Sequence, residues 1–265
     1  MTLQRGSFRH AGLTFSFLDS NNGDSNNDAP PLIALHAHWM EAQTFAPLAG
    51  LLAPDWRLVA LDQRGHGYSS HARSYTRDDY LGDLVALFSA LRIDRAVLLG
   101  NSLGGVNAYQ FAARHSQNVH AMIIEDIGAV LADDTSFALA WSGVFPALED
   151  LERAVGPRFL PYLRDSIRHV DEGWRLAFDP QDMVESQTCI NGDHWSDWLA
   201  SSCAALLVRG KDSRVTRPDH LAEMASRRPN TQLLTLEGGH VVHADHPQLF
   251  VAAVREFLRS IQVPT

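Results

Sequence analysis

RAVLLGNSLGGVNAYQFAARH, Arg95–His115, is the stretch on which the reading of this chain turns. Ala96–Leu99 is an apolar run of the length a buried parallel strand needs, and Val106, Ala108, Tyr109, Phe111 and Ala112 continue as a helical pattern. Between them lies Gly100-Asn101-Ser102-Leu103-Gly104, a G-x-S-x-G in the strand–turn–helix context that gives the motif its meaning. The glycines allow a turn too tight for side chains on either side of the serine. Such a turn lifts the Ser102 hydroxyl clear of the backbone and sets it at a helix N-terminus, where free N–H groups favour developing negative charge. On the bland reading, Ser102 merely caps a helix in a glycine-rich connection.

Outward from this stretch, short apolar strands alternate with amphipathic helices. Phe8–Asp19 reads as two strands about Ala11-Gly12, Leu32–Leu35 as a buried strand and Ala42–Leu52 as a helix. Arg57–Leu61 is a further strand, Thr76–Leu91 a strong amphipathic helix, and Ala121–Ile124 a strand ending at Glu125-Asp126. Alternation resumes late with strand Ala205–Val208, a helix from Pro218 to Arg227, strand Gln232–Leu236 and a final helix from Pro247 to Ser260. The order implies a mostly parallel sheet covered on both faces, with its site at the carboxyl ends of the strands. His36, His38, Asp62, Ser102, Asp126, Asp212 and His240 all fall just after strands. Asn21–Asp28 reads as a polar loop with no assigned role.

Composition narrows the function classes. The chain has 265 residues, 45% of them apolar, enough for one large α/β domain. A net charge of −9 with scattered acidic residues argues against nucleic acid as a partner. No apolar run reaches the roughly 18 residues of a membrane span, and the N-terminus lacks the pattern of a secretory signal, so a cytoplasmic location is expected. Cys189 and Cys203 read as two buried thiols rather than a disulfide. A small-molecule substrate is the expected partner, and the protein is expected to be a monomer or homodimer.

A serine hydroxyl needs a base to become a nucleophile near neutral pH, and the imidazole that serves needs a carboxylate to hold it. In chain order Ser102, Asp212 and His240 supply nucleophile, acid and base. With these go LHAHW at 35–39, LDQRGHGYSS at 61–70, LLVRGKDSRV at 206–215 and GGHVVHADHPQLF at 238–250. Over nearly its whole length the chain resembles the α/β-hydrolase fold superfamily. The resemblance implies an eight-stranded-type, mostly parallel sheet formed by residues 1–126 and 203–265, with a helical cap inserted at 127–202. It implies Ser102 as nucleophile, His240 as base, Asp212 as acid, and the backbone N–H groups of His38 and Leu103 as an oxyanion hole.

Rival assignments stand beside these. His243 is the alternative base, although the Gly238-Gly239 turn favours His240, which leaves His243 and His246 as capping or surface residues. Asp126 is the alternative acid, because some members of the superfamily recruit theirs from that region; otherwise it braces the cap hinge. Asp62 and Arg64 are expected to hold their loop by hydrogen bonds, and His66 reads as structural or substrate-facing. Ala37 stands where the superfamily has glycine, which restricts the turn that would present the His38 donor. The His36-x-His38 pair lacks a carboxylate or cysteine at ligand spacing, so no metal is expected, and acyl transfer through a serine requires no cofactor.

The cap segment contributes Phe137, Trp141 and Phe145, which together with Trp39 are expected to line a modest apolar pocket. Such a pocket suits a small hydrophobic ester, thioester or lactone cleaved through an acyl-enzyme, as in a carboxylesterase. The alternatives are a carbon–carbon hydrolase of ring-cleavage products, with Arg64 or Arg175 holding a substrate carboxylate, a cofactor-free perhydrolase, or a ligand-binding receptor on the same scaffold.

Overall fold

The computed structural model describes residues 3–21 and 29–261, so most of the Asn21–Asp28 loop lies outside the described residues. Eight strands form one sheet: β1 Gln4–His10, β2 Leu13–Asp19, β3 Pro31–Leu35, β4 Arg57–Leu61, β5 Ala96–Asn101, β6 Val119–Glu125, β7 Ala204–Gly210 and β8 Thr231–Leu236. Their spatial order is β1-β2-β4-β3-β5-β6-β7-β8. The pairs β1–β2 and β2–β4 are antiparallel, and every other neighbour is parallel. This is the expected architecture.

The helices are α1 Ala46–Leu52, α2 Arg77–Leu91, α3 Leu103–Arg114, α4 Leu148–Val155, α5 Leu160–Leu163, α6 Pro180–Ile190, α7 Trp195–Ala200, α8 Pro218–Arg227, α9 Val242–Asp245 and α10 Pro247–Ser260. They cover a sheet whose central strand, β5, is buried at every position. Because both faces are covered, alternate residues of a strand feed different clusters. Ile33, Leu35, Leu98 and Met122 pack with α2 and α3, whereas Leu32, Ala34, Val97 and Leu99 pack with α1 and α10. Helix α2 starts sharply because Thr76 and Asp79 form a reciprocal capping box.

Between β6 and β7 the chain leaves the sheet. This segment carries α4 to α7 and two small antiparallel pairs, neither of them a buried strand pair. Val130–Leu131 pairs with Gly192–Asp193 where the segment departs and returns, and Ile167–Val170 forms a hairpin with Gly173–Leu176. Their two to four residues are too short for an alternating apolar pattern to register in sequence. Cys189 and Cys203 are unpaired and half-buried rather than fully buried. Among the described residues, no helix is long and apolar enough to cross a membrane.

Candidate active site

Ser102 sits between β5 and α3 with φ 52 and ψ −115, a strained conformation for a residue with a side chain. The strain is enforced by packing. A Cβ on Gly104 would lie 2.0 Å from the Leu35 carbonyl oxygen, and one on Gly100 would lie 2.2 Å from the Gly104 carbonyl oxygen. Glycine is therefore required at both positions. The Ser102 N–H donates to the Glu125 carbonyl at 3.1 Å, tying the bend to β6. Its hydroxyl has no hydrogen-bond partner among the described residues and opens on a cavity of about 590 Å³.

His240 lines the same cavity. Its Nδ1–H donates to Asp126 Oδ2 at 2.7 Å, which leaves Nε2 as the basic nitrogen. The expected acid, Asp212, also lines the cavity, but it is exposed and makes no side-chain hydrogen bond to His240. The imidazole meets a different carboxylate for a physical reason. Asp126 directly follows β6 with φ 50, and its carboxylate is completely buried beside the imidazole. The loop carrying Asp212 contributes hydroxyls instead: Thr216 Oγ1 donates to Asp126 Oδ1 at 2.7 Å and Ser213 Oγ to Oδ2. A buried carboxylate with three donors is held in one orientation, as a carboxylate that must fix an imidazole has to be.

Asn101, which the sequence reading passed over, joins the two halves of this arrangement. Its Nδ2 donates to the His240 carbonyl at 3.0 Å and to the Glu125 carbonyl at 3.3 Å. Its position beside the serine was the available signal. His243 is neither a capping nor a surface residue: it is fully buried, with Nδ1 2.6 Å from Glu125 Oε2 and Nε2 3.0 Å from Thr44 Oγ1. It pins the segment after His240 to β6, and it does not line the cavity. His246 is exposed at the start of α10, as expected.

The two backbone N–H groups expected to receive an oxyanion are those of Leu103 and His38. Leu103 opens α3, so its N–H has no partner within the helix. The His38 N–H belongs to the Ala37–His38 peptide, whose carbonyl is held by His36. The Gln63 N–H donates to His36 Nε2 at 3.0 Å, so Nδ1 carries the proton and donates to the Ala37 oxygen at 2.7 Å. Since the C=O and N–H of a trans peptide point in opposite directions, fixing one aims the other. Burial holds His36 down to a pKa of about 3, which keeps it neutral in this role. The glycine replaced by Ala37 is not where the turn is made: the positive φ, 69, falls at Trp39.

His38 is buried, its Nε2 2.8 Å from Ser186 Oγ, and burial keeps its pKa well below the ordinary value, with His66 and Arg77 adding to the effect. Both imidazoles of the His36-x-His38 pair thus have a ring nitrogen engaged by protein. Among the described residues no cluster of three metal-ligating side chains occurs. Asp62 accepts from the Ala42 N–H, the Tyr68 N–H and Arg5, holding its loop. Arg64 is clamped by Asp83 through Nε and Nη2 at 2.7 and 2.8 Å. His66 is buried with Nδ1 on the Arg64 carbonyl and lies outside the cavity lining.

Of the expected pocket residues, Trp39 and Phe137 line the cavity. Trp141 packs behind them, with ring centroids 5.3 Å from Trp39 and 5.6 Å from Phe137. Phe145 is elsewhere, its backbone bridged to Trp174 beside the cap hairpin. Phe159, Tyr162 and Val215 take its place on the wall. Neither Arg64 nor Arg175 reaches the cavity; Arg158 and Arg214 do, and neither forms an ion pair among the described residues.

Comparisons with known proteins agree with this architecture. A 2-(acetamidomethylene)succinate hydrolase of Mesorhizobium japonicum is 25% identical over 252 residues, covering 89% of this chain and 91% of that protein. The sn-1-specific diacylglycerol lipase ABHD11 of Mus musculus is 26% identical over 274 residues, covering 96% and 88% respectively. Among solved structures, an E-2-(acetamidomethylene)succinate hydrolase superposes with a TM-score of 0.85 at 22% identity, covering 97% of this chain and all of that one. The family model for the alpha/beta hydrolase family matches residues 32–253, and the chain belongs to that family.

Proposed function

We propose that the protein is a serine hydrolase that cleaves a small carboxylic ester, or a related acyl compound, through an acyl-enzyme on Ser102. The observation that carries this reading is the 2.7 Å hydrogen bond from His240 to the buried Asp126 on the cavity onto which Ser102 opens. Asp126 fixes the tautomer, leaving Nε2 to take the Ser102 proton as Oγ attacks the substrate carbonyl. The free Ser102 hydroxyl is consistent with catalytic hydrogen bonds that tighten only when substrate arrives. The N–H groups of His38 and Leu103 receive the oxyanion, and such donors typically contribute about 3 kcal/mol each to lowering the barrier. The protonated His240 then gives its proton to the leaving group. In the second half it deprotonates a water that attacks the ester carbonyl, and it returns that proton to Ser102 Oγ as the acid leaves. No step calls for a cofactor.

The wall of Trp39, Phe137 and Phe159 supports a compact apolar group as one part of the substrate. A second reading rests on Arg158 and Arg214, two guanidinium groups on the cavity without carboxylate partners among the described residues. They favour a substrate bearing a carboxylate, and the M. japonicum relative is named for such a compound. The test is a panel of nitrophenyl acetate and butyrate, lactones, dienone acids and N-acyl enamine dicarboxylates, with Ser102→Ala as blank. The expected result is turnover of short-chain esters with a stoichiometric nitrophenol burst that the Ser102→Ala protein lacks. Turnover confined to the carboxylate-bearing compounds would establish the second reading; saturable binding without turnover would make the protein a receptor.

A further inference from the structure

The residues His38–Glu41 follow β3 and carry the His38 N–H, yet their partners come largely from the inserted cap segment. Ser186 of α6 bonds the His38 imidazole at 2.8 Å and is bonded in turn by the Tyr80 hydroxyl at 2.8 Å. Ser166, buried just before the cap hairpin, donates its hydroxyl to the Trp39 carbonyl at 2.8 Å. Arg168, the second residue of that hairpin, donates to Glu41 Oε2 at 2.5 Å. The Trp39 ring is enclosed by Phe137, Trp141 and Phe159, all from the cap, with centroids 5.3–5.7 Å away.

Three polar grips and an aromatic socket therefore act on three residues of this four-residue turn, one of which, Trp39, holds a left-handed φ that a side chain disfavours. Such a conformation persists only where its surroundings over-determine it. The Ala37 carbonyl is secured from the core by His36, but the far side of the turn is secured from the cap. Arg168 is braced in addition by its guanidinium lying 4.6 Å from the Tyr68 ring centroid.

We infer that Ser166 and Arg168 are positioning residues for the oxyanion hole: by gripping Trp39 and Glu41 they hold the His38 N–H in its working direction, so that docking of the cap and assembly of the hole are one event. This inference rests on the proposed serine-hydrolase reading. A cap that merely roofs the pocket would affect how tightly substrate is retained. A cap that shapes the donor affects the transition state, where the oxygen carries its charge.

The experiment compares wild type with Ser166→Ala, Arg168→Ala, the double variant and Arg168→Lys, each checked for an unchanged far-ultraviolet spectrum. Steady-state hydrolysis of nitrophenyl butyrate is measured together with inhibition by an alkaneboronic acid, which mimics the tetrahedral adduct, and by butyrate, which does not. The inference predicts that kcat of the double variant falls about tenfold or more, within the range expected for a misaligned oxyanion donor. KM and the butyrate constant change less than about threefold while boronate inhibition weakens in parallel with kcat, and Arg168→Lys recovers part of the loss. Unchanged kcat and boronate affinity, or a loss confined to KM and butyrate binding, would overturn it. Absence of any Ser102-dependent acyl transfer in the wild type would overturn the underlying reading as well, and is distinguishable because it precedes the variants. If the double variant does not fold, Ser166→Ala alone carries the same test with the same signs.

Discussion

At the scale of single residues, the site depends on groups that hold other groups. Asn101 does not line the cavity, yet its amide nitrogen links the carbonyls of Glu125 and His240, in two separate segments. Replacing it with alanine leaves the His240 carbonyl without this donor, a loss of about 1 kcal/mol in stability. The larger effect is on alignment: kcat for the Ser102-dependent reaction should fall about tenfold, since small displacements of a base are costly. A kcat for Asn101→Ala within twofold of wild type would show that the His240 segment keeps its place without this link. Asp126 and Asp212 make the complementary point. Both follow parallel strands, and each lies within reach of the cavity by chain position. Only the orientation at the strand end, φ 50 at Asp126, and the hydroxyls of Ser213 and Thr216 decide which carboxylate meets the imidazole.

Elements explain what could and could not be read from the chain. The bend around Ser102 is legible because it is local: Gly100, Gly104 and the strand and helix flanking them are contiguous. The alternation that yields the sheet order is legible for the same reason, strand by strand. His243 is not, because its burial depends on Glu125, more than a hundred positions away, and nothing near it in sequence announces that partner. The cap hairpin is too short to show its period, although it delivers Arg168 to Glu41. That pair has a pH signature. Burial, with Asp62 and Asp165 adding, outweighs the pull of Arg168 and lifts Glu41 from 4.5 to about 7. A carboxyl with a raised folded pKa adds stability below its unfolded value, and that stability is lost as the pH climbs through the folded one. Glu41→Gln keeps an acceptor and stays neutral, so its melting temperature should gain on wild type between about pH 5 and 8. Parallel melting curves across that range would contradict this account of the pair.

For the molecule as a whole, the sheet sets Ser102 at the end of β5, His240 in the segment after β8 and the buried Asp126 just after β6, and the insertion between β6 and β7 contributes to the cavity wall beside them. The family is carried by that layout, whereas the chemistry rests on which side chains the strand ends finally bring together. The most direct measurement is the pre-steady-state rate of acylation of Ser102 by nitrophenyl butyrate, with the adduct located by mass spectrometry, in wild type, Asp126→Asn and Asp212→Asn side by side. The account predicts that Asp126→Asn slows acylation by about 10³–10⁴-fold, the scale expected when an imidazole loses the carboxylate that sets its tautomer, while Asp212→Asn stays within about threefold of wild type. A reversed order, or an adduct on any residue other than Ser102, would contradict it.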